Sequence, residues 1–368
     1  MHTPCLILDH DRLAANCARM TYRAEALGVA LRPHGKTAKC AAVIDLALAG
    51  RPKAMTVSTL AEARHFAQAG YRDITYAVGL VPAKMDEVAR LRGDGVDLKV
   101  ILDTPEAARG LAEAWPEGAP GLSVLIELDC GGHRGGVPAE DDQALIAVAE
   151  ALTGRVSLQG VLTHGGQSYH ADTIDAIRSV AEAERRAAVH AAAVLRARGT
   201  ACPIVSVGST PTALFAEHLD GVTEMRPGVY MLFDRFQAGL GCCTEAQIAV
   251  SVLASVIGRR ADQGYALIDA GALALSQDLS TAAQDGQPIY GTVWDETGQT
   301  RLGDLIVSKV NQEHGFVTSP SGLRDLPGLG ERVRIQPNHA CMTAAPYDRY
   351  HVQGGSADGQ IWSKLTGW

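Results

Sequence analysis

A lysine sits in the run Arg32-Pro33-His34-Gly35-Lys36-Thr37, just past a short apolar stretch. A lysine held in a dry site gives up its proton readily and can form a Schiff base with a carbonyl cofactor. The same residue also reads as a solvated loop lysine. Val207-Gly208-Ser209-Thr210-Pro211-Thr212 joins another apolar run to a helix-like stretch. Its glycine lets backbone approach a ligand, and its hydroxyls stand at a helix start, which together make a phosphate cradle. Arg226-Pro227-Gly228-Val229-Tyr230 has the same character, and each stretch alone is also ordinary turn chemistry. Arg134 lies on the glycine-rich loop 129–136, suited either to an anionic oxygen or to a surface salt bridge. His164 and Tyr169 suit a ring to stack on or bond to, or form a polar pair with each other. His339 and Cys341 stand two apart. On an extended strand that spacing puts imidazole and thiolate on one side, a partial site for a zinc-like ion. Asn311-Gln312-Glu313-His314-Gly315 is a further polar cluster, either a turn or outer support for that site.

Elements must bring these residues together. Apolar runs at 29–33, 54–58, 73–78, 98–102, 123–128, 158–163, 204–207 and 222–225 read as strands. Helices are predicted between them at 40–49, 83–92, 141–152, 172–198 and 212–219. Two more open at Thr59-Leu60-Ala61-Glu62, a capping box, and at Thr104-Pro105, an N-cap with proline first. Eight strands spaced by helices predict a parallel (β/α)8 barrel of the TIM type, with a doubly wound open sheet as the alternative. In a barrel, chemistry sits at the C-terminal ends of strands, where Lys36, Arg134, His164 and Gly208 fall. After about residue 236 the texture changes. Runs at 248–258, 264–269, 288–293, 304–310 and 332–336 predict an all-β domain. Residues 5–9 fit either part, and the expected division is a barrel over 10–235 and a β-domain over 236–368 together with 1–9.

The chain has 368 residues, of which 46% are hydrophobic and 20% charged, and a net charge of −8. That is a folded globular composition, and its acidic balance argues against nucleic acid or an anionic membrane as partner. No apolar run approaches the roughly 20 residues of a membrane span. The N-terminus lacks a basic-then-apolar signal pattern, so a cytoplasmic protein is expected. Eight cysteines lack the spacing of a disulfide framework or zinc ribbon, and reduced thiols are the expectation.

Several of these stretches occur together and in order over nearly the whole length. They are Thr3-Pro4 before an apolar strand, then 32–37, 129–136, 208–212, 226–230, 311–315 and 338–341. With them the chain resembles the fold-type III pyridoxal-phosphate enzymes, the alanine-racemase-like class. Within it, the chain is similar to the D-serine dehydratase / D-threonine aldolase family. The resemblance implies that Lys36 is the Schiff-base lysine and catalytic base, with Tyr169 a second catalytic group. It implies Arg134 at the cofactor's phenolic oxygen and His164 and Tyr169 at its ring. It implies Gly208, Ser209, Thr210, Gly228 and Tyr230 around the phosphate. His339 and Cys341 would hold a divalent metal, zinc first, with manganese or magnesium as alternatives. Lys39 and Gln312 are candidate substrate contacts; Lys39 lies one helical turn from Lys36 if the chain is helical there, and reads equally as a solvated charge. In this family His-x-Cys goes with dehydratases and His-x-Asp with aldolases. Dehydration of a D-β-hydroxy amino acid, D-threo-3-hydroxyaspartate or D-serine, is therefore expected. D-threonine aldolase is the alternative, with a racemase or a non-catalytic pyridoxal-phosphate protein behind it. The resemblance also implies a homodimer, with the active site at the subunit interface.

Overall fold

The computed structural model describes residues 1–322 and 325–368. They form two units. One comprises Met1–Cys17, Thr37–Val43 and Val229–Gly367; the other comprises Ala18–Lys36, Ile44–Gly228 and Trp368. The expected boundary at 235/236 differs from this division, because 10–17, 37–43 and 229–235 go with the β-rich unit. Part of the reason is local: β1 (Cys5–Asp9) runs straight into the helix His10–Ala26, so the first turns of that helix follow the strand.

In the barrel unit, side chains set where helices begin. Thr59, Thr104, Asp141 and Thr173 each accept a backbone N–H three residues on, which starts the helices Leu60–Gln68, Pro105–Ala114, Asp142–Ala151 and Ile174–Ala197. At the first of these Glu62 reaches back to the N–H of Ser58, at 2.8 Å, completing the expected box one residue earlier than the cap itself. The strands between the helices are β2 (Ala30–Leu31), β3 (Ala54–Val57), β4 (Asp73–Gly79), β5 (Asp97–Leu102), β6 (Leu122–Asp129), β8 (Val156–Thr163), β9 (Ile204–Val207) and β10 (Glu224–Met225). A two-residue strand, β7 (Val137–Pro138), pairs with β6 off the main path. The main order is β2-β10-β9-β8-β6-β5-β4-β3, parallel throughout. The ends meet: Gly35 donates to Thr56 O at 2.8 Å, and Thr56 donates to Pro33 O at 2.9 Å. The sheet thus returns on itself as the expected eight-stranded TIM-type barrel. Ile101, Leu125 and Leu162 pack together in its core, each burial stabilising by about 1.5–3 kcal/mol. Arg32 is structural here: it pairs with Glu224 and Asp73, each at 2.8 Å, and Asp73 also takes Lys99 at 2.7 Å.

The second unit is antiparallel except for one parallel pair, residues 7–9 against 351–353. Strands β11 (Val250–Arg260), β12 (Tyr265–Ile268), β15 (Gly315–Thr318), β14 (Arg301–Val310), β13 (Thr292–Trp294) and β16 (Arg332–Gln336) pair in that order, and β16 returns to β11. The long β11 closes this ring by shifting register between Val256 and Gly258. β1 joins β11 and is followed by β17 (Arg349–Gln353) and β18 (Ile361–Ser363), so residues 5–9 belong with the β-rich unit. β15, β17 and β18 were not among the predicted strands; they are three to five residues long, too short for alternation to stand out. None of the eight cysteines forms a disulfide. Among the described residues no helix is long and apolar enough to cross a membrane.

Candidate active site

The barrel unit holds a cavity of about 330 Å³ at the ends of its strands. Its lining includes His34, Lys36, Glu127, Arg134, His164, Gly208 and Arg226. Lys36 is exposed and sits in a turn beside Gly35, where an added β-carbon would lie 2.5 Å from the Met55 methyl. Two imidazoles share the cavity with it. Burial, Lys36 and Arg226 push His34 well below its usual range. Burial and Lys36 push His164 down to about 3. Both rings are therefore neutral at pH 7. His164 Nδ1 lies 3.2 Å from Gly208 O, and a carbonyl only accepts, so Nδ1 carries the hydrogen and Nε2 is left as an acceptor.

Arg226 is buried, with Nη1 on Ser206 Oγ at 2.5 Å and Nη2 on Thr163 O at 2.7 Å. It is a fixed cation at the head of the 226–230 stretch, where the resemblance gives roles only to Gly228 and Tyr230. Glu184 was missed in the sequence. Its Oε1 accepts the N–H of Gly165 at 2.6 Å and of Gly208 at 2.9 Å, tying together the loops after β8 and β9. Gly208 has φ +122°, and an added β-carbon there would lie 3.0 Å from the Arg226 nitrogen, so the position needs glycine.

The other sequence-predicted residues fall as follows. Arg134 is exposed at the cavity, with one 3.3 Å contact to Glu127. Ser209 caps the helix Thr210–Phe215: its Oγ accepts from Thr212 N–H at 3.2 Å, and its own N–H goes to Thr212 Oγ1 at 2.9 Å. The backbone N–H groups of Gly208 and Ser209 thus have partners inside the protein. Thr210 is buried beside them in sequence, and Gly228 is the last residue of the barrel unit before Trp368. Tyr169 tilts 47° to His164 with ring centroids 6.2 Å apart, and does not line the cavity. Tyr230 is fully buried in the β-rich unit. An exposed lysine, two neutral imidazoles and two arginines around one cavity fit a phosphorylated carbonyl cofactor in charge and chemistry.

The β-rich unit carries a second cluster. His339 and Cys341 do not lie on a strand as expected. His339 is the extended N-cap of the helix Ala340–Ala344, and Cys341 is that helix's second residue. The chain turns after β16, yet the two side chains still interact with each other. Asp234 holds the turn, accepting from Gln237 N–H at 2.8 Å and Ala340 N–H at 2.9 Å. His339 Nδ1 meets Asp278 Oδ2 at 2.8 Å, and Cys341 Sγ meets Thr37 Oγ1 at 3.1 Å. Burial opposes charge on His339, but Asp278 and Cys341 outweigh it and push the imidazole up to about 11. Among the described residues no three His, Cys, Asp or Glu side chains converge on one point. A cation that displaces the Nε2 proton would find one imidazole nitrogen and the Cys341 sulfur as a two-donor set. That set fits a borderline-soft divalent cation with its other positions open.

Lys39 is not one helical turn from Lys36. Residues 36–38 form a turn and the helix begins at Ala41. Lys39 itself has φ +49°, and its Nζ binds Gly367 O at 3.1 Å. Gln312 is exposed, 3.3 Å from the Glu313 carboxylate.

Comparison with known proteins agrees with this architecture. The alanine racemase N-terminal domain matches residues 8–235, and the putative serine dehydratase domain matches 249–353. The chain is 44% identical to D-threo-3-hydroxyaspartate dehydratase of Delftia sp. (strain HT23), covering 100% of this chain and 98% of that one. It is 31% identical to D-serine dehydratase of Dictyostelium discoideum, covering 96% and 93%. A solved D-threo-3-hydroxyaspartate dehydratase, a cysteine-to-alanine mutant in the metal-free form, superposes with a TM-score of 0.96 at 44% identity, covering 100% and 98%. D-threonine aldolase from Filomicrobium marinum gives 0.81 at 26% identity, covering 99% and 95%. The chain thus belongs to the alanine-racemase-like, fold-type III pyridoxal-phosphate enzymes, in the branch that carries a serine dehydratase domain.

Proposed function

We propose that this chain is a lyase that uses pyridoxal phosphate and a divalent metal to dehydrate D-β-hydroxy amino acids. D-threo-3-hydroxyaspartate is the first substrate and D-serine the second, giving a 2-oxo acid and ammonia. The observation that carries the reading is the His339–Cys341 pair. A histidine and a cysteine two residues apart are the positions replaced in two solved mutants of D-threo-3-hydroxyaspartate dehydratase, one of them metal-free.

When bound, the cofactor supplies an electron sink for the α-carbon and the metal a Lewis acid for the departing hydroxyl. Lys36 is the amine that would hold the cofactor and then take the α-proton. His34 and His164 are neutral, so neither adds positive charge beside that amine. His164 Nε2 offers an acceptor to the cofactor ring. Arg226 is held in place by Ser206 and Thr163 as a permanent cation. Arg134 is exposed, meets Glu127 at 3.3 Å and suits an anionic oxygen. Ser209 and Thr210 are the hydroxyls that the resemblance assigns to the phosphate, with Gly208, Gly228 and Tyr230 as its other assigned neighbours. His339 and Cys341 would hold the metal, zinc by donor type. By its resemblance the protein is also proposed to be a homodimer, and a cytoplasmic location is proposed beside it.

A second reading, aldol cleavage, has support in the D-threonine aldolase likeness. Release of ammonia and of aldehyde over a panel of D-β-hydroxy amino acids, with and without chelator, separates the two. Ammonia from D-3-hydroxyaspartate that chelation abolishes supports dehydration. Glycine and acetaldehyde formed faster from D-threonine would sink it.

A further inference from the structure

Asp278 lies 61 residues before His339 in the chain, yet its Oδ2 meets His339 Nδ1 at 2.8 Å. Its placement is not left to one contact. The Asp278 N–H donates to Ser276 Oγ at 3.2 Å, and Asp278 Oδ1 accepts the Ser280 N–H at 2.8 Å. The Asp278 carbonyl accepts Asn338 Nδ2 at 2.9 Å, which ties its backbone to the residue before His339. Asn338 is itself anchored, by Ile289 O at 2.6 Å and by Arg235 Nη1 on its Oδ1 at 2.9 Å. A carboxylate only accepts, so in this pair Nδ1 carries a hydrogen. That bond fixes the tautomer and restrains the direction in which Nε2 points.

The geometry assigns Asp278 as the positioning residue that presents His339 Nε2 as the nitrogen donor to the divalent cation. The assignment rests on the proposed metal dependence. Histidine ligands commonly donate their second N–H to a carboxylate, which fixes the tautomer and raises ligand basicity; losing that partner typically costs 10–100-fold in metal affinity. Asp278 would contribute no bond to the metal. Thr37 stands in the matching position on the other donor, with Oγ1 3.1 Å from Cys341 Sγ.

The test is metal affinity and spectrum. Metal-stripped protein, with pyridoxal phosphate retained, is titrated with Co(II) against a competing chelator. Wild type should take up Co(II) and show a thiolate-to-cobalt charge-transfer band, which Cys341→Ser should lose. Asp278→Ala should keep that band but bind Co(II) about 10–100-fold more weakly, with cofactor absorbance unchanged. Asp278→Asn retains a carbonyl acceptor without the charge, and should fall between the two. It also serves if the alanine variant fails to fold. Wild-type affinity in both Asp278 variants overturns the assignment while leaving the metal reading intact. Failure of wild type to bind Co(II) at all overturns the metal reading, and the assignment with it.

Discussion

Replacing Glu184 tests how the barrel cavity is held. One carboxylate oxygen accepts the N–H groups of Gly165 and Gly208, at 2.6 and 2.9 Å, in the loops that carry His164 and Ser209. Glu184→Leu leaves both N–H groups buried without that partner. An orphaned buried donor costs about 1–3 kcal/mol, so the barrel unit should lose about 2–6 kcal/mol. Glu184→Gln keeps an acceptor of similar shape and should cost far less. Burial lifts the Glu184 carboxyl above its ordinary 4.5, against the opposing Gly208 and Gly165 N–H groups. A raised folded-state value means that this group's contribution is full below about 4.5 and is lost as pH rises through the raised value. Glutamine does not titrate. The stability difference should therefore shift toward Glu184→Gln as pH rises through that window, then level off. Urea unfolding followed by circular dichroism, at several pH values, reads both effects. A Glu184→Leu variant as stable as wild type would refute the claim that this carboxylate carries the two loops. Equal loss in the glutamine and leucine variants would refute the claim that shape and acceptor, rather than charge, are what the loops require.

Three further outcomes are expected. Lys36→Ala should lose the Schiff-base absorbance of the purified protein, read in the visible spectrum, while the fold persists, because the side chain is exposed. Cys341→Ala should lower metal occupancy and turnover, measured by metal analysis and ammonia release, with the cofactor still bound. His164 is depressed to about 3 by burial and Lys36, so wild type should lose stability as pH falls from about 6.5 toward 3, where the unfolded chain takes a proton that the fold refuses. His164→Gln should show a smaller loss between pH 7 and 5 in urea unfolding.

Much of the frame was legible from the chain alone, because it rests on local signals. Thr59 and Thr104 cap helices where their hydroxyls predict. The eight barrel strands fall on the apolar runs, since strands buried on both faces read as continuous hydrophobic stretches. Lys36, Arg134, His164 and Gly208 could be placed at strand ends for the same reason, and they share one cavity. Local reasoning failed where the chain changes direction. His339 and Cys341 were read as alternating strand residues, but Asp234 and the helix Ala340–Ala344 turn the backbone there. The helical spacing of Lys39 from Lys36 depends on a helix that the chain does not form there: Lys39 has a positive φ, and its Nζ donates to Gly367 O.

The sequence by itself determined most of the barrel unit's elements, its strand count and the residues whose chemistry is rare enough to name. Only the tertiary structure decided which ordinary residues serve them. Glu184 and Asp278 carry no signal of their own in the chain, and Arg226 reads as part of a turn. Their roles depend on contacts such as Asp278 to His339 across 61 residues and Thr37 to Cys341 across 304. No spacing rule reaches that far. Such contacts are set by how strands pair and helices pack, and only burial turns an ordinary carboxylate into a group that holds a loop or a ligand.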